Sequence, residues 1–168
     1  GNTPCFYNHF VTDREESFDQ PGTPEEPKGH YIFDKPEPLW NFGHGKSYTT
    51  FDYVDCALSD TLLAASDTLK VSVMIKNTGR CDGKEVVQLY VRDKVSTVAT
   101  PIQQLKAFQK VLVKSGESQC VELSLPIAEL ALYNAKMEEV VEPGDFEIQI
   151  GAASDDIRFK KTITINRK

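Results

Sequence analysis

Long hydrophobic runs and clusters of positive charge are both missing from this chain of 168 residues. No apolar stretch approaches the roughly 18 residues needed to span a bilayer, and the amino terminus lacks the basic and apolar regions of a signal peptide. The 19 Lys and Arg residues are scattered among 25 Asp and Glu residues, which gives a net charge of −6. Because binding to nucleic acid requires clustered Lys and Arg, we expect neither a nucleic-acid partner nor a membrane span.

Regular metal-ligand spacing is missing as well. The chain contains no Cys-x-x-Cys pair, and its cysteines are far apart, at Cys5, Cys56, Cys81 and Cys120. The three histidines, His9, His30 and His44, all precede residue 50. A metal site near Cys5 is the alternative, but the irregular spacing argues against it, and we expect no metal and no cofactor. Whether the cysteines pair stays open, since four cysteines permit three connectivities.

No catalytic set can be assembled from the sequence. Adjacent acids occur at Glu15-Glu16, Glu25-Glu26, Glu138-Glu139 and Asp155-Asp156. Neighbours on a strand point to opposite faces, whereas glycoside hydrolysis by two carboxylates needs convergent groups about 5 to 9.5 Å apart. There is also no Gly-x-Ser-x-Gly elbow and no suitably placed Ser, His and Asp. We therefore predict no catalytic residue in this chain, and no substrate-binding residue can be assigned.

The first fifty residues contain little that would form a core. Residues 13–29 are rich in Asp, Glu, Pro and Gly and show neither helical nor strand periodicity. Pro21, Pro24 and Pro27 each remove a backbone donor and push the preceding residue towards extended geometry. We predict an irregular segment whose apolar content is too low to order it alone. Folding back on the rest of the chain, exchange with a neighbouring molecule and mobility are the three outcomes left open.

From Phe51 onward the hydrophobic period is two, as in strands with one buried face. The apolar rows are Leu69-Val71-Val73-Ile75, Val87-Leu89-Val91, Val121-Leu123-Leu125, Phe146-Ile148-Ile150 and Ile157-Phe159-Ile163-Ile165. Turn signals separate them at Asn77-Thr78-Gly79, Cys81-Asp82-Gly83, Lys114-Ser115-Gly116 and Glu142-Pro143-Gly144. About seven short strands without a helix of useful length predict an all-β, antiparallel sandwich.

Three segments depart from simple alternation. Residues 85–90 contain the adjacent pair Val86 and Val87, and residues 105–113 are apolar on both faces, so both are expected to pack beneath a loop or a partner. A single helical turn is predicted at residues 127–132, followed by a strand at 137–141. Tyr133, between them, has the position of a corner tyrosine whose hydroxyl binds nearby backbone.

Gly45-Lys46-Ser47 resembles the end of a phosphate-binding loop. That motif needs a glycine five residues earlier and a helix afterwards. Position 40 is Trp40, and Tyr48-Thr49-Thr50-Phe51 favours a strand. We therefore predict no phosphate site here.

A series of motifs runs in order along the chain. The run at 38–51 includes Gly43-His44-Gly45 and Ser47-Tyr48-Thr49, and it is followed by blocks at 73–79, 82–91, 105–111 and 142–148, with Pro101 among them. Together with Tyr7-Asn8-His9 and Tyr31-Ile32-Phe33-Asp34, these blocks resemble the carboxyl-terminal region of family-three glycoside hydrolases, the bacterial β-glucosidase and β-xylosidase type. Trp40, Asn41 and Lys46 stand where that family usually shows Tyr, Pro and Leu.

The resemblance implies a division into two parts. Residues 1–50 would be the tail of an α/β sandwich domain with its linker, and residues 51–168 an immunoglobulin- or fibronectin type III-like β-sandwich. In such enzymes a (β/α)8 barrel carries the nucleophilic aspartate and the α/β domain supplies the acid and base, both upstream of Gly1. The fragment alone is then expected not to be an enzyme, although its parent would be a retaining β-glucosidase-like hydrolase.

The expected function is that of a non-catalytic accessory module that packs on the parent's barrel and α/β domains and stabilises them. Pairing with a second copy is left open, and the parent is expected in the periplasm or outside the cell. The alternative is a module that binds carbohydrate or a cell surface through exposed aromatic rings. Tyr90, Phe108 and Tyr133 are the candidates, although each is expected at least as readily in the core.

Overall fold

The computed structural model describes residues 6–10, 23–25 and 38–166. Two main sheets face each other, and no α-helix occurs in these ranges. The strands are β1 (Phe51–Leu58), β2 (Leu62–Leu63), β3 (Thr68–Asn77), β4 (Gly83–Asp93), β5 (Gln104–Val113), β6 (Ser118–Pro126), β7 (Leu132–Tyr133), β8 (Glu139–Val140), β9 (Gly144–Gly151) and β10 (Ile157–Ile165). The turn predicted after Pro126 is a 3-10 turn at Ile127–Leu130.

The strand order is that of a Greek-key sandwich. One sheet has the order β1-β3-β6 and the other the order β2-β10-β9-β4-β5, while β7 and β8 form a separate hairpin. Seven strands, namely β1, β3, β4, β5, β6, β9 and β10, are at least eight residues long. The predicted all-β sandwich of about seven strands is therefore confirmed. Pairing is antiparallel throughout except between β2 and β10, which run parallel.

The core lies between the two sheets and is built mainly from the rows that the period of two identified. Fully buried members include Leu69, Val71, Val73, Ile75, Val87, Leu89, Leu125, Ile148, Ile150 and Ile163. At about 25 cal/mol per Å² of apolar surface removed from water, this burial is the main term that stabilises the sandwich. The residues that alternate with a period of two in the sequence are thus most of the residues buried between the sheets.

Strand β4 is buried on both faces over Val87–Val91. Val87, Leu89 and Val91 face the core, so Gln88 and Tyr90 point to the outer face of the five-stranded sheet. They are nevertheless 3% and 0% exposed, because residues from before β1 cover them. This cover explains why Gln88 and Tyr90 are buried although they face away from the core.

Two sequence predictions need correction in the hairpin after the 3-10 turn. The strand predicted at 137–141 shrinks to Glu139–Val140, because Met137 has φ of 63° and closes the turn to β7. Tyr133 is 60% exposed, and no hydrogen bond involves its hydroxyl among the described residues. The corner-tyrosine interpretation is therefore wrong, since a side chain on this short outer hairpin does not reach the backbone of the sandwich.

Two described pieces that precede β1, residues 6–10 and 38–50, lie against the sandwich. Phe10 forms an isolated bridge with Pro101, and the backbone N–H of Leu105 donates to the Tyr7 hydroxyl at 3.2 Å. Folding back on the sandwich, one of the three outcomes left open, is thus observed for these pieces. Most of the segment predicted to be irregular, including Pro21 and Pro27, and the motif at 31–34 lie outside the described residues. No helix in the described part of the chain is long and apolar enough to cross a membrane.

Candidate functional site

Residues 38–50, called the seam here, lead directly into β1 and are anchored at their carboxyl end by Thr49. The Thr49 hydroxyl donates to Asn77 Oδ1 at 2.6 Å, and both residues are buried. Asn77 Nδ2 donates to the carbonyls of Cys81 and Val113, each at 2.9 Å, and the Gly79 N–H donates to Asn77 Oδ1 at 3.0 Å. One amide side chain therefore joins the seam to the β3–β4 loop and to the end of β5.

Two glycines make room for Thr49. A Cβ atom on Gly79 would overlap Thr49 Oγ1, and a Cβ atom on Gly83 would overlap Thr49 Cγ2. Glycine permits this close approach because it has no side chain. Asn77-Thr78-Gly79 and Asp82-Gly83, which the sequence marked as turns, are thus also the socket for the seam. The sequence carried no separate signal for this role.

An aromatic cluster covers the outer face of the five-stranded sheet. The Phe42 and Tyr7 rings stack with centroids 4.0 Å apart, and the Tyr7 ring meets Tyr90 edge-on at 6.0 Å. Burial raises the pKa of Tyr90, so its hydroxyl stays protonated and can donate. Of the three aromatic residues proposed to bind sugar, Tyr90 therefore belongs to the interior, whereas Phe108 and Tyr133 are 66% and 60% exposed.

Beneath this cluster, Gln88 fixes the centre of the seam. Its Oε1 accepts from the Tyr90 hydroxyl at 2.6 Å, and its Nε2 donates to the carbonyls of Gly43, at 3.1 Å, and Ala152. Gly43 has φ of 82°, and a Cβ atom there would overlap the Gln88 amide. The glycine at position 43 therefore serves both the backbone conformation and the close approach.

The other side of the seam carries exposed apolar groups. Leu39 is 87% exposed, Trp40 is 56% exposed and the Tyr48 side chain is fully exposed. The Trp40 ring stacks on His44 at 4.6 Å and has Lys46 Nζ 4.5 Å from its centroid. Strand β1, rather than a helix, follows Lys46, which agrees with the prediction that this run does not form a phosphate loop.

The histidines and cysteines of the sequence do not gather in the described structure. His9 Nδ1 lies 3.0 Å from the Phe6 carbonyl oxygen, whereas His44 belongs to the Trp40 stack. His30 and Cys5 lie outside the described residues. Three cysteines are free thiols, one buried and two exposed, in the order Cys56, Cys81 and Cys120. Within ranges 6–10, 23–25 and 38–166, no three His, Cys, Asp or Glu residues are grouped as metal ligands would be.

The adjacent acids have separate structural partners. Asp155 accepts from Asn41 Nδ2 at 2.7 Å, while Asp156 binds Arg158 through two contacts of 2.6 and 2.8 Å. Glu138 accepts from Asn134 Nδ2 at 3.0 Å in the β7–β8 hairpin. Glu15, Glu16 and Glu26 lie outside the described residues. The described contacts thus place these acids in loop and hairpin structure, and the expectation of no catalytic residue stays a prediction.

Sequence reasoning missed a polar link between the sheets. The Tyr53 hydroxyl on β1 donates to Glu85 Oε1 on β4 at 2.9 Å, and Arg158 Cζ lies 5.7 Å from the Tyr53 ring centroid. Burial is the main cause of the raised pKa of both Glu85 and Tyr53. No local pattern could have revealed this pair, because the two residues meet only when the sheets pack.

Comparison with known proteins shows where this geometry recurs. Residues 85–154 match the fibronectin type III-like domain family. A β-xylosidase of Formosa agariphila is 43% identical over 84% of this chain and 19% of its own length, and a periplasmic β-glucosidase of Salmonella typhimurium is 34% identical over 94% and 20%. The crystal structure of a Listeria innocua β-glucosidase in complex with glucose superposes with a TM-score of 0.78 at 34% identity, covering 97% of this chain and 22% of that one.

The chain belongs to the fibronectin type III-like region of family-three glycoside hydrolases. The resemblance drawn from the ordered motifs is therefore confirmed. The fibronectin type III-like match begins in β4 and ends just after β9, whereas the structural superposition takes in nearly the whole chain, including the seam. This fibronectin type III-like chain spans about a fifth of the length of the curated relatives it matches.

Proposed function

We propose that this chain is a non-catalytic accessory module of a β-glycosidase, packed on the catalytic domains that precede it in the parent protein and stabilising them. Residues 1–50 would be the tail of the α/β domain with its linker, and residues 51–168 the fibronectin type III-like sandwich. The start of regular strands at Phe51 supports this division.

The observation that carries the proposal is the two-sided character of the seam. The Thr49 hydroxyl and the Phe42 carbonyl, which accepts from the Ser154 N–H at 2.9 Å, anchor it to the sandwich. Leu39, Trp40 and Tyr48 are exposed. Exposed apolar groups gathered on one short segment are typical of a surface that another domain covers. The parent's own α/β domain, which would precede this segment directly, is the partner we assign to it.

The parent would hydrolyse O-glycosidic bonds of β-glucosides or related oligosaccharides with retention of configuration. Support comes from the relatives, which are named β-glucosidases and β-xylosidases. One of them is named a periplasmic enzyme, which supports a periplasmic or secreted parent. Both catalytic carboxylates would then lie in domains outside residues 1–168.

A turnover assay tests the non-catalytic role. The purified chain should release no nitrophenol from a nitrophenyl β-glucoside, because we predict no convergent pair of carboxylates in it. Release above a heat-treated sample of the same protein would overturn the proposal.

Docking through the seam is tested by Tyr48→Ala made in two contexts. The isolated chain should unfold at an unchanged temperature, because the Tyr48 side chain is fully exposed there, whereas the full-length parent should unfold at a lower temperature. Phe108→Ala is the matched control, since Phe108 is an exposed aromatic residue that belongs to β5 and not to the seam. Loss of parental stability with Phe108→Ala but not with Tyr48→Ala would place the interface elsewhere and contradict the proposal.

The exposure of Phe108 and Tyr133 supports a second candidate, a module that binds carbohydrate or a cell surface. Burial of Tyr90 under Tyr7 removes one of the three rings from any flat binding face. In a pull-down with insoluble glucan we expect the chain in the supernatant. Retention in the pellet, lost in Phe108→Ala, would favour the second candidate.

A further inference from the structure

A cavity of about 270 Å³ lies beside the end of β4, away from the seam. Val91 and Phe146, both nearly buried, line its inner part, and Phe10 and Tyr133, which are half or more exposed, line its mouth. Pockets for drug-sized ligands occupy about 300–1,000 Å³, so this one has room for a smaller molecule. Its walls come from five parts of the chain that only the fold brings together.

Two groups of opposite charge line the same cavity without neutralising each other. Asp93 and Lys106 both contribute to its wall, and no ion pair joins them among the described residues. Asp93 Oδ1 accepts from the Val95 N–H at 3.1 Å, and Lys106 Nζ donates to the Glu129 carbonyl at 2.7 Å. Each group therefore keeps hydrogen-bonding capacity, Asp93 as an acceptor and Lys106 as a donor.

Further polar capacity surrounds these charges. Gln104 and Tyr133 also line the cavity, and no side-chain hydrogen bond of either residue is found among the described residues. Both charged groups are half-buried, and this burial raises the pKa of Asp93 and lowers that of Lys106.

The charges restrict the class of ligand. A ligand with a single charge would meet a like charge at either Asp93 or Lys106, and a purely apolar molecule would leave the remaining hydrogen-bonding capacity of both groups unused. Vicinal hydroxyl groups donate and accept at once, and the apolar face of a sugar ring can lie on an aromatic side chain such as Tyr133. We infer that this cavity binds a single neutral sugar ring, with Asp93, Lys106 and Gln104 as hydrogen-bonding groups and Tyr133 as the stacking face.

Sugar binding at this site goes beyond the accessory role and is independent of it. A chain that docks on its parent but binds no sugar would agree with the accessory role and contradict the sugar site. The cavity admits one ring and offers no flat surface, so it is compatible with a failure to retain insoluble glucan. Affinity for a single ring in such a half-open site is expected in the millimolar range.

Nuclear magnetic resonance titration of the ¹⁵N-labelled chain with methyl β-glucopyranoside tests the inference. Saturable shifts should centre on the amides of Gln104, Lys106 and Tyr133. Tyr133→Ala should weaken binding about three- to tenfold through the lost ring contact, and Asp93→Asn about tenfold. Tyr48→Ala, on the seam, should leave the affinity unchanged, and unaltered spectra outside the cavity should confirm that each variant is folded.

A comparison of neutral and charged sugars tests the same inference on the unmodified chain. Methyl β-glucopyranoside should bind more tightly than glucuronate and more tightly than glucosamine, because each charged sugar meets a like charge. Absence of saturable shifts, shifts that survive unchanged in Tyr133→Ala, or tighter binding of either charged sugar would overturn the inference.

Discussion

Asn77 shows how one buried polar side chain can organise several segments. It is 0% exposed, yet both of its amide hydrogens and both acceptor positions of its oxygen are occupied. A buried amide is tolerated when its hydrogen bonds are complete, and an incomplete set is costly. The position of the seam therefore depends on specific hydrogen bonds as well as on apolar contact.

Thr49→Val should destabilise the chain by about 1–3 kcal/mol, because it removes a buried donor to Asn77 while keeping the size of the side chain. The matched control is Thr50→Val, whose exposed hydroxyl lies 3.0 Å from that of Thr78 and whose loss should change stability by less than about 0.5 kcal/mol. Urea unfolding followed by circular dichroism gives both values. Equal effects of the two variants would show that the buried bond is not what holds the seam.

Glu85→Gln should stabilise the chain near neutral pH and flatten its dependence on pH. Burial raises the pKa of Glu85 in the folded state, so its favourable contribution is complete below its ordinary pKa and is lost as pH rises through the raised value. Tyr53, Arg158 and Asp156 act on the same carboxyl, and glutamine keeps an acceptor for the Tyr53 hydroxyl. Urea midpoints at pH 5 and pH 8 measure the effect.

The control for this variant is Glu117→Gln. Glu117 is an exposed carboxyl 4.0 Å from Lys114, so its replacement should leave the pH profile nearly unchanged. An unaltered profile in Glu85→Gln would mean that the Tyr53 link does not set the pH dependence.

At the scale of elements, the seam packs closely into the β3–β4 loop, which forms its socket. Thr49 enters between Gly79 and Gly83, and the exposed Cys81 thiol donates to the Tyr48 carbonyl at 3.2 Å on the same side. Shape complementarity at this contact leaves no room for an added methyl group.

Gly79→Ala should cost about 1–3 kcal/mol, because its methyl group would overlap Thr49 Oγ1. Gly45→Ala is the control on the seam itself, since no atom lies within 4 Å of the added Cβ, and its effect should stay within about 0.5 kcal/mol. Urea midpoints compare the stabilities of the two variants. If Gly79→Ala were as stable as Gly45→Ala, close packing of Thr49 against Gly79 would not be what holds the seam.

The elements also show what sequence alone can predict. The rows in β3, β4, β6, β9 and β10 follow from a period of two because one face of each strand meets the core. The burial of Tyr90, the socket for Thr49 and the Tyr53–Glu85 bond depend on contacts between segments more than 25 positions apart, for which a single sequence has no local signal. The cavity escaped prediction for the same reason.

At the scale of the whole molecule, residues 6–10 and the seam form a partial third layer over the five-stranded sheet. Tyr7 and Phe42 cover Tyr90, and Phe10 pairs with Pro101. The sandwich therefore has one outer face open to solvent and another partly covered by its own amino-terminal chain.

Truncation should reveal the contribution of this layer. A chain that begins at residue 51 should still fold, because the core lies wholly within β1–β10, but should unfold at a lower urea concentration than the full chain. A chain that begins at residue 38 should be intermediate, since it keeps the Thr49 bond and lacks Tyr7. Identical midpoints for all three chains would show that the layer adds no stability.

The contact between Tyr7 and Leu105 also has a consequence during synthesis. The two residues are 98 positions apart, so at about 5–20 residues per second Tyr7 leaves the ribosome roughly 5–20 s before its partner does. Throughout that interval the apolar side chains of the amino-terminal pieces have no sheet to cover. The contact between Tyr7 and Leu105 therefore cannot form until β5 has been synthesised, and chaperones can reach the apolar side chains of residues 6–10 before then.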